Sequence, residues 1–427
     1  MPASEQERLQ IELILATYDN VAVFPDDWAT GDFEAEFLYR TDKLVVRAEA
    51  ADTALENSRG RGVAISRDDI ELEGAARLDV TGFGGDGPSL RQELSLLQGE
   101  LGEDRVGLDG LLFACIHSCA AIEPQEPGTG AAAMPGVQDG LVAGDSLSNH
   151  GDGVHVRILD TGLVAEPVQT WMQGVTGDPD TAVDSARDAG RPIPQDGGHG
   201  TFTAGCVRVA APQAKVHVVN AAKLITSKAN ADRLGAIFDS DLAALLRADL
   251  ANVVPDILVV NFAGTTLGNQ PPVALTALYE GVIRDLQEQL VIFCPSGNEG
   301  DDRVTWPAAF PWVEAVGALG ANGRRASFSN DGSFVKVYAP GDNFTNAYAE
   351  GEYQTLWAMP SETREFHGLA RWGGTSFSTP LVAGLVAARK STTGQSSREA
   401  WDSLLAVAQG QATLSAGPVL FPGQELA

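Results

Sequence analysis

The chain is short of cysteine, of basic residues and of long apolar runs, and each shortage removes a class of protein. Among 427 residues there are four cysteines, Cys115, Cys119, Cys206 and Cys294. A secreted scaffold held together by disulfides carries more, at loop positions. Cys206 falls in a helical run and Cys294 in an apolar strand, so both are expected as buried free thiols. Cys115 and Cys119 flank His117 with C-x3-C spacing, but no second pair stands at zinc-site distance, and no metal is assigned to them. No run of about 18 apolar residues exists, so no transmembrane helix is expected. The opening MPASEQERLQIELILATYDN puts acidic residues before a short apolar patch and has no basic n-region, the reverse of a secretory signal. The expected location is therefore the cytoplasm. Lysine and arginine number 29 against 57 aspartates and glutamates, a net charge of −28. Phosphate-rich surfaces repel such a protein, so neither nucleic acid nor membrane is expected as a partner.

The acidity is uneven. Residues 1–120 hold 24 acidic against 10 basic side chains, half of the net excess in under a third of the chain. A solvated acidic face accounts for this, and recruitment of a basic protein partner is the alternative. In this region 37–50 reads as a strand or hairpin, 89–101 has helical periodicity and 110–117 reads as a strand, which makes residues 1–120 a small α+β domain. Residues 121–147 are rich in Pro, Gly and Ala without any period and read as an easily cut linker. Over 148–427 the pattern changes to alternating strands and helices. Strands are expected at 154–160, 215–222, 256–264, 291–300, 313–319 and 334–341, and helices at 201–210, 236–250, 272–290 and 376–390. Nearly all-apolar strands alternating with helices build a doubly wound, mostly parallel α/β sheet covered on both faces. No internal repeat is evident.

Four short motifs carry chemistry. In GGTSFSTPLVAG (373–384) two glycines precede Ser376, and a helix starts at or just after it. A serine there faces free backbone N–H groups and the positive end of the helix dipole, which stabilise charge developing on a carbonyl oxygen. Pro380 is expected early enough in that helix for its missing N–H to cost little. In GGHGTFTAGCV (197–207) His199 lies between glycines on a turn, which is no setting for a core histidine. Asp160 closes the first apolar strand in DTG, at the carboxyl edge where α/β active sites form. Asn298 in SGNEG ends another strand and can present its side-chain N–H to an oxyanion. Taken singly, each motif has a plainer reading as a helix cap, an Asx-turn or a tight turn.

Taken together, GVHVRILDTG, GGHGTFTAG, PSGNEG and GGTSFSTPLVAG, in the order Asp…His…Ser, resemble the subtilase family of serine endopeptidases. WPAAFPWVEAVGAL (306–319) and ASFSNDGSFVKVYAPG (326–341) extend the resemblance, which covers about 150–390. It implies acyl-enzyme chemistry, with Ser376 as nucleophile, His199 as general base and Asp160 as its orienting acid. The Asn298 side chain and the Ser376 backbone N–H would form the oxyanion hole. A backbone platform for the substrate is implied at Phe262, Ala263 and Gly264, with Ser296, Gly297, Glu299 and Thr375 beside it. Asn261-Phe262-Ala263 departs from the family's common Ser/Leu-containing form, which leaves side-chain preference open. Glu299, Asp301 and Asp302 either favour a basic residue before the cut bond or are solvated turn carboxylates. The chemistry needs no cofactor. Structural calcium is frequent in the family, but the acidic loop 177–190 matches no calcium loop, and metal is left unassigned. The loop after Asp160 and the insertion over 342–372, with Trp357, His367 and Trp372, are lids, exosites or neutral decoration.

The function expected on this basis is an endopeptidase that cuts proteins or peptides, processing specific intracellular proteins or degrading more broadly. Residues 1–120 are either a removable propeptide, with the cut in the linker, or a retained regulatory domain. A silent binding module is disfavoured by the complete Asp160, His199, Asn298 and Ser376 set. An esterase is disfavoured because G-T-S-F-S is not the G-x-S-x-G elbow.

Overall fold

A computed structural model of the chain describes residues 5–28, 36–83, 86–114, 123–127, 149–165, 169–222, 235–356 and 360–423. Cys115, His117, Cys119, Trp357 and most of the expected linker lie outside them.

The first unit runs α1 (Glu5–Thr17), β1 (Val21–Phe24), β2 (Phe37–Arg47), α2 (Ala51–Gly60), β3 (Ile65–Arg67), β4 (Ala75–Val80), α3 (Gly87–Leu101) and β5 (Val106–Phe113). Its strands pair antiparallel in the order β3-β4-β2-β5, with β1 also on β2. One face of the sheet buries Tyr39, Leu44, Val46 and Leu78 against Ala54, Leu90, Leu94 and Leu97 of α2 and α3. Alternation with period two on the strands and a three-to-four spacing on α3 place these residues on facing sides.

The second unit continues with β6 (His155–Asp160), β7 (Thr176–Gly177), α4 (Thr181–Asp188), α5 (His199–Ala210), β8 (Lys215–Asn220), β9 (Ala236–Phe238), α6 (Asp239–Asn252), β10 (Ile257–Val260) and α7 (Val273–Gly281). Then come β11 (Val291–Pro295), β12 (Glu314–Leu319), β13 (Val335–Pro340), β14 (Phe344–Gln354), β15 (Thr363–Trp372), α8 (Thr375–Thr393) and α9 (Ser397–Gly410). Seven strands form one parallel sheet in the order β13-β12-β11-β10-β6-β8-β7. Strands β10, β11 and β12 are buried at every position, and all but Glu314 at the start of β12 read as apolar runs. The sheet is α/β and doubly wound. Winding reverses between β6 and β10, and ligands bind outside the carboxyl ends of strands at such a point.

Several expected elements differ. The helix expected over 236–250 starts at Asp239, because Ala236–Phe238 forms β9 and pairs antiparallel with Leu111–Phe113 of β5. The first unit's sheet thus ends on a strand of the second unit. The helix expected over 272–290 stops at Gly281, and Ile283–Leu286 makes a 3-10 turn. The insertion over 342–372 is an antiparallel hairpin, β14–β15, with Phe344, Tyr348, Tyr353, Phe366 and Trp372 in the main core. It packs as part of the body, while His367 on β15 is exposed.

Candidate active site

Asp160 ends β6 at the reversal of the sheet and is fully buried. Four donors reach its carboxylate. Oδ1 accepts from the Thr161 N–H at 2.7 Å and lies 2.7 Å from His199 Nδ1. Oδ2 accepts from Asn261 Nδ2 at 2.8 Å and from the Thr203 hydroxyl at 3.1 Å. Donors thus stand in for the water that burial removed from this carboxylate. His199 opens α5 immediately after Gly198, whose φ of 79° is a left-handed turn that a side-chain-bearing residue resists. Its ring packs on Trp372 and Phe377, with centroids 5.4 and 5.2 Å away. The second ring nitrogen, Nε2, is buried and has no hydrogen-bond partner.

Ser376 is the second residue of α8, after the extended Gly374. Pro380 stands further into the helix than the first turn, so its absent N–H leaves the Ser376 carbonyl without an i+4 donor. Asn261 fills that vacancy: the amide that serves Asp160 also donates to Ser376 O at 3.2 Å. One buried side chain therefore ties the acid to the serine. Asn298 is anchored through its Oδ1, which accepts from the Thr375 N–H and hydroxyl, both at 2.9 Å. With the oxygen engaged, the Nδ2 donors are left for a ligand.

The cleft is filled by the chain's own β5. Phe113 exchanges both backbone hydrogen bonds with Ala263, each 2.9 Å, and the Ala114 N–H donates to Gly235 O at 2.6 Å. Strand β5 is thus held between β9 and the segment after β10. A Cβ at Gly264 would lie 2.7 Å from Leu111 O, so glycine is required for that approach. Leu112 and Ala114 face the core of the second unit with Ile237 and Phe262, whereas Leu111 and Phe113 pack with Ile11, Ile14 and Phe238. At the end of the strand the Ser376 hydroxyl donates to the carbonyl of Ala114 at 3.1 Å.

The structure brings Asp160, His199, Ser376, Asn298 and Thr375 together. Ala263 meets β5 through its backbone, Gly264 through its missing side chain, and Phe262 turns its ring into the core. Ser296 and Gly297 are held from behind. Ser296 O accepts from the Thr305 hydroxyl at 2.8 Å, and Gly297 O accepts from the Asn330 N–H at 3.1 Å. Glu299 Oε2 accepts from Asn330 Nδ2 at 2.7 Å, and Asp301 pairs with Arg303 at 2.7 Å. Sequence reasoning missed Asn261 and Thr203 as partners of Asp160. Asn261 was visible only as a departure in the platform motif, and Thr203 had the one signal of lying one helical turn after His199.

Among the described residues no group of three or more His, Cys, Asp and Glu side chains is arranged for a metal ion. The acidic stretch 177–190 does not fit calcium, because three of its four carboxylates are turned onto protein donors. Asp180 caps α4 at the Val183 N–H and accepts from the Gly198 N–H at 2.8 Å. Asp178 accepts from the Asn220 N–H, and Asp184 pairs with Arg187. Burial raises the Asp180 carboxyl to about 6, with the charge of Asp160 adding to the shift. Cys206 and Cys294 are buried free thiols, and burial pushes both well above the usual thiol range. No described helix is long and apolar enough to cross a membrane.

An aspartate–histidine pair at a sheet reversal, with a helix-terminal serine against a peptide carbonyl, defines the class of acyl-transfer hydrolases that use a serine. The sequence model of the subtilase family matches residues 151–415. Subtilisin BL of Lederbergia lenta is 31% identical over 247 residues, which is 56% of this chain and 76% of that protein. An intracellular serine protease of Paenibacillus polymyxa is 28% identical over 245 residues, 56% of this chain and 66% of that protein. A solved cold-adapted subtilisin-like serine proteinase aligns with 64% of this chain and 90% of its own at 21% identity and a TM-score of 0.46. The chain belongs to the subtilase family and is a subtilisin-like serine endopeptidase, whose substrates are proteins or peptides.

Proposed function

We propose that Ser376, His199 and Asp160 carry out the peptide hydrolysis, and that residues 5–114 are a self-cleaved inhibitory propeptide. The observation that carries this reading is the contact of the Ser376 hydroxyl with the Ala114 carbonyl, made while β5 is paired to the platform at Ala263. A peptide so held has its carbonyl within reach of the nucleophile. For reaction the Ser376 hydroxyl turns its proton to the unpartnered His199 Nε2, and Oγ attacks the carbonyl carbon. Asp160 holds Nδ1–H and stabilises the imidazolium. The Asn298 Nδ2 and the Ser376 N–H receive the oxyanion. His199 then protonates the leaving amine as the C–N bond breaks, and water hydrolyses the acyl-enzyme by the same route. The bond cut first is the one on the carboxyl side of Ala114, ahead of the 121–147 linker.

The reading favours substrates that enter as an extended strand with apolar side chains, as Leu111-Leu112-Phe113-Ala114 does. Glu299 and Asp301 are already engaged by Asn330 and Arg303, which argues against selection of a basic residue. Processing of specific proteins inside the cell is the role proposed, supported by the match to a relative named as intracellular. Broad degradation is the alternative with the same chemistry. A retained domain that recruits a basic partner is the alternative for residues 5–114.

The test is intact mass after labelling with a fluorophosphonate, on wild type and Ser376→Ala. Wild type is expected to yield a fragment ending at Ala114 and a labelled remainder, while Ser376→Ala stays whole and unlabelled. Labelling at full length makes residues 5–114 a standing domain. A first cut within 121–150 moves the scissile bond into the linker and overturns the assignment of Ala114.

A further inference from the structure

Nine residues after Ala114 the described chain resumes at Glu123, and this short piece lies on the peptidase. Gln125 and Arg371 of β15 exchange both backbone hydrogen bonds, each 2.8 Å, and their side chains also bond. Arg364 donates to Pro124 O at 2.8 Å, and the Glu365 N–H donates to Glu126 Oε1 at 2.8 Å. Residues 123–126 therefore add a short strand, held by one antiparallel bridge at Gln125, to the outer edge of the hairpin that leads directly into Ser376.

Glu123 is the buried end of that strand, 8% exposed. Its Oε1 accepts from three groups: the Tyr353 hydroxyl at 3.1 Å, the Leu356 N–H at 2.5 Å and Gln195 Nε2 at 3.2 Å. Tyr353 and Leu356 belong to the hairpin. Gln195 belongs to the loop that ends at His199, and that loop also touches the hairpin through the Ile193 N–H and Glu352 O at 2.7 Å. Beside it, Asp196 accepts from the Gly235 N–H at 2.8 Å, and Gly235 O receives Ala114. Burial, with the Glu123 charge second, keeps the Tyr353 phenol far above its ordinary range, so it remains a donor. A single carboxylate thus joins the loop that carries His199 to the hairpin that carries Ser376.

We infer that Glu123 is a positioning residue for catalysis, and that residues 123–126 are a strap of the mature peptidase rather than part of a disposable linker. The inference rests on the assignment of His199 and Ser376 above. It gives a reason for the site of self-cleavage: a cut after Ala114 leaves the strap attached, and a cut anywhere in 128–147 discards it. The hairpin is then neither lid nor decoration, since it is the surface on which the strap sets the distance between base and nucleophile.

The experiment compares processed wild type with Glu123→Ala, Glu123→Gln and Tyr353→Phe, using a chromogenic Leu-Leu-Phe-Ala peptide. Expected for Glu123→Ala is a fall in kcat of about tenfold, from misplacement of the pair, with KM within about twofold. The acidic limb of the kcat/KM profile should also move, since the base is what is misplaced. Glu123→Gln, which keeps an acceptor oxygen, should recover most of kcat, and Tyr353→Phe should lose about two- to threefold. A lowered melting temperature with unchanged kcat and pH profile would mean a structural role only and overturns the inference. Should Glu123→Ala fail to fold, the other two variants decide: unchanged kcat in Tyr353→Phe, or no activity in well-folded Glu123→Gln, also overturns it. Absence of activity in wild type strikes the assignment of Ser376 and His199, a failure separable by the labelling result.

Discussion

Two aspartates of this molecule are buried to the same degree and live in opposite surroundings. Asp160 in the active site has four donors around two oxygens. Asp239, at the seam between the first unit and the peptidase, has the Gly110 N–H on Oδ2 at 2.7 Å and no partner on Oδ1. Its neighbour Asp109 is also fully buried, accepting from the Ser240 N–H and lying 3.0 Å from Arg40. Arg77 and Asp241 complete the cluster. Burial, then the charge of Asp109, drives the Asp239 carboxyl well above its ordinary range. Asp109 is raised too, by burial ahead of the opposing Arg40. Burial alone does not fix the state of a carboxyl group; the donors and the charges that face it act beside it. The site surrounds its carboxylate with donors, whereas the seam sets one buried carboxyl group beside another.

The largest way to test the site's half of this contrast is to remove a donor meant for the transition state. Asn298→Ala should lower kcat by about 10²–10³ with little change in KM, because its Nδ2 is left for the oxyanion. Steady-state kinetics on a short peptide checks this, and a kcat within a few-fold of wild type would remove Asn298 from the oxyanion hole. Next in size, Asn261→Ala strips one donor from Asp160 and the amide donor from the Ser376 carbonyl. Leaving buried acceptors unpaired costs about 1–3 kcal/mol each. Thermal and urea unfolding should show the loss, and Asn261→Asp should fare worse by setting a second carboxylate against Asp160.

The smallest expected effect sharpens the seam's half. Asp239 binds its proton more tightly in the assembled form than when exposed. Assembly therefore takes up a proton, is strongest at low pH and weakens as pH rises above the ordinary carboxylate range. The cut fragment 5–114, added back to the peptidase, should lose inhibitory affinity over that window by about tenfold per pH unit for each linked proton. Asp239→Asn imitates the protonated state: it keeps an acceptor for Gly110 and supplies a donor toward Asp109. It should inhibit more tightly and flatten the pH dependence, and an unchanged slope would place the linked proton elsewhere. Within the peptidase, Asp180 titrates near 6 in the same sense, and its contribution is separated by measuring the peptidase alone.

Much of this architecture was legible in the sequence. Apolar runs on both faces announced the parallel sheet, and β6, β8, β10, β11, β12 and β13 fall where those runs lie. The positions of Asp160, His199, Asn298 and Ser376 at strand or helix ends followed from glycine spacing and strand termini. What escaped did so for identifiable reasons. Ala236–Phe238 continues the apolar pattern of α6, and only its pairing with β5 makes it a strand. The hairpin β14–β15 was legible only as an insertion, and a register shift between Ala347 and Glu350 interrupts its pairing. Pro380 looked harmless in α8, and the carbonyl it strands is visible only when Asn261 is found against it.

By itself the sequence determined the local matters: which segments are strands buried on both faces, where helices begin, and which residue types stand at those ends. These follow from side-chain periodicity, caps and turn chemistry, all written within a few residues of one another. The tertiary structure alone decided the rest: Ala114 against Ser376, Asp109 beside Asp239, and Glu123 between the loop of His199 and the hairpin of Ser376. Each brings together residues separated by tens to hundreds of positions, through contacts that a linear pattern does not encode. Only the packed chain brings such groups into contact and excludes the water that would otherwise satisfy them.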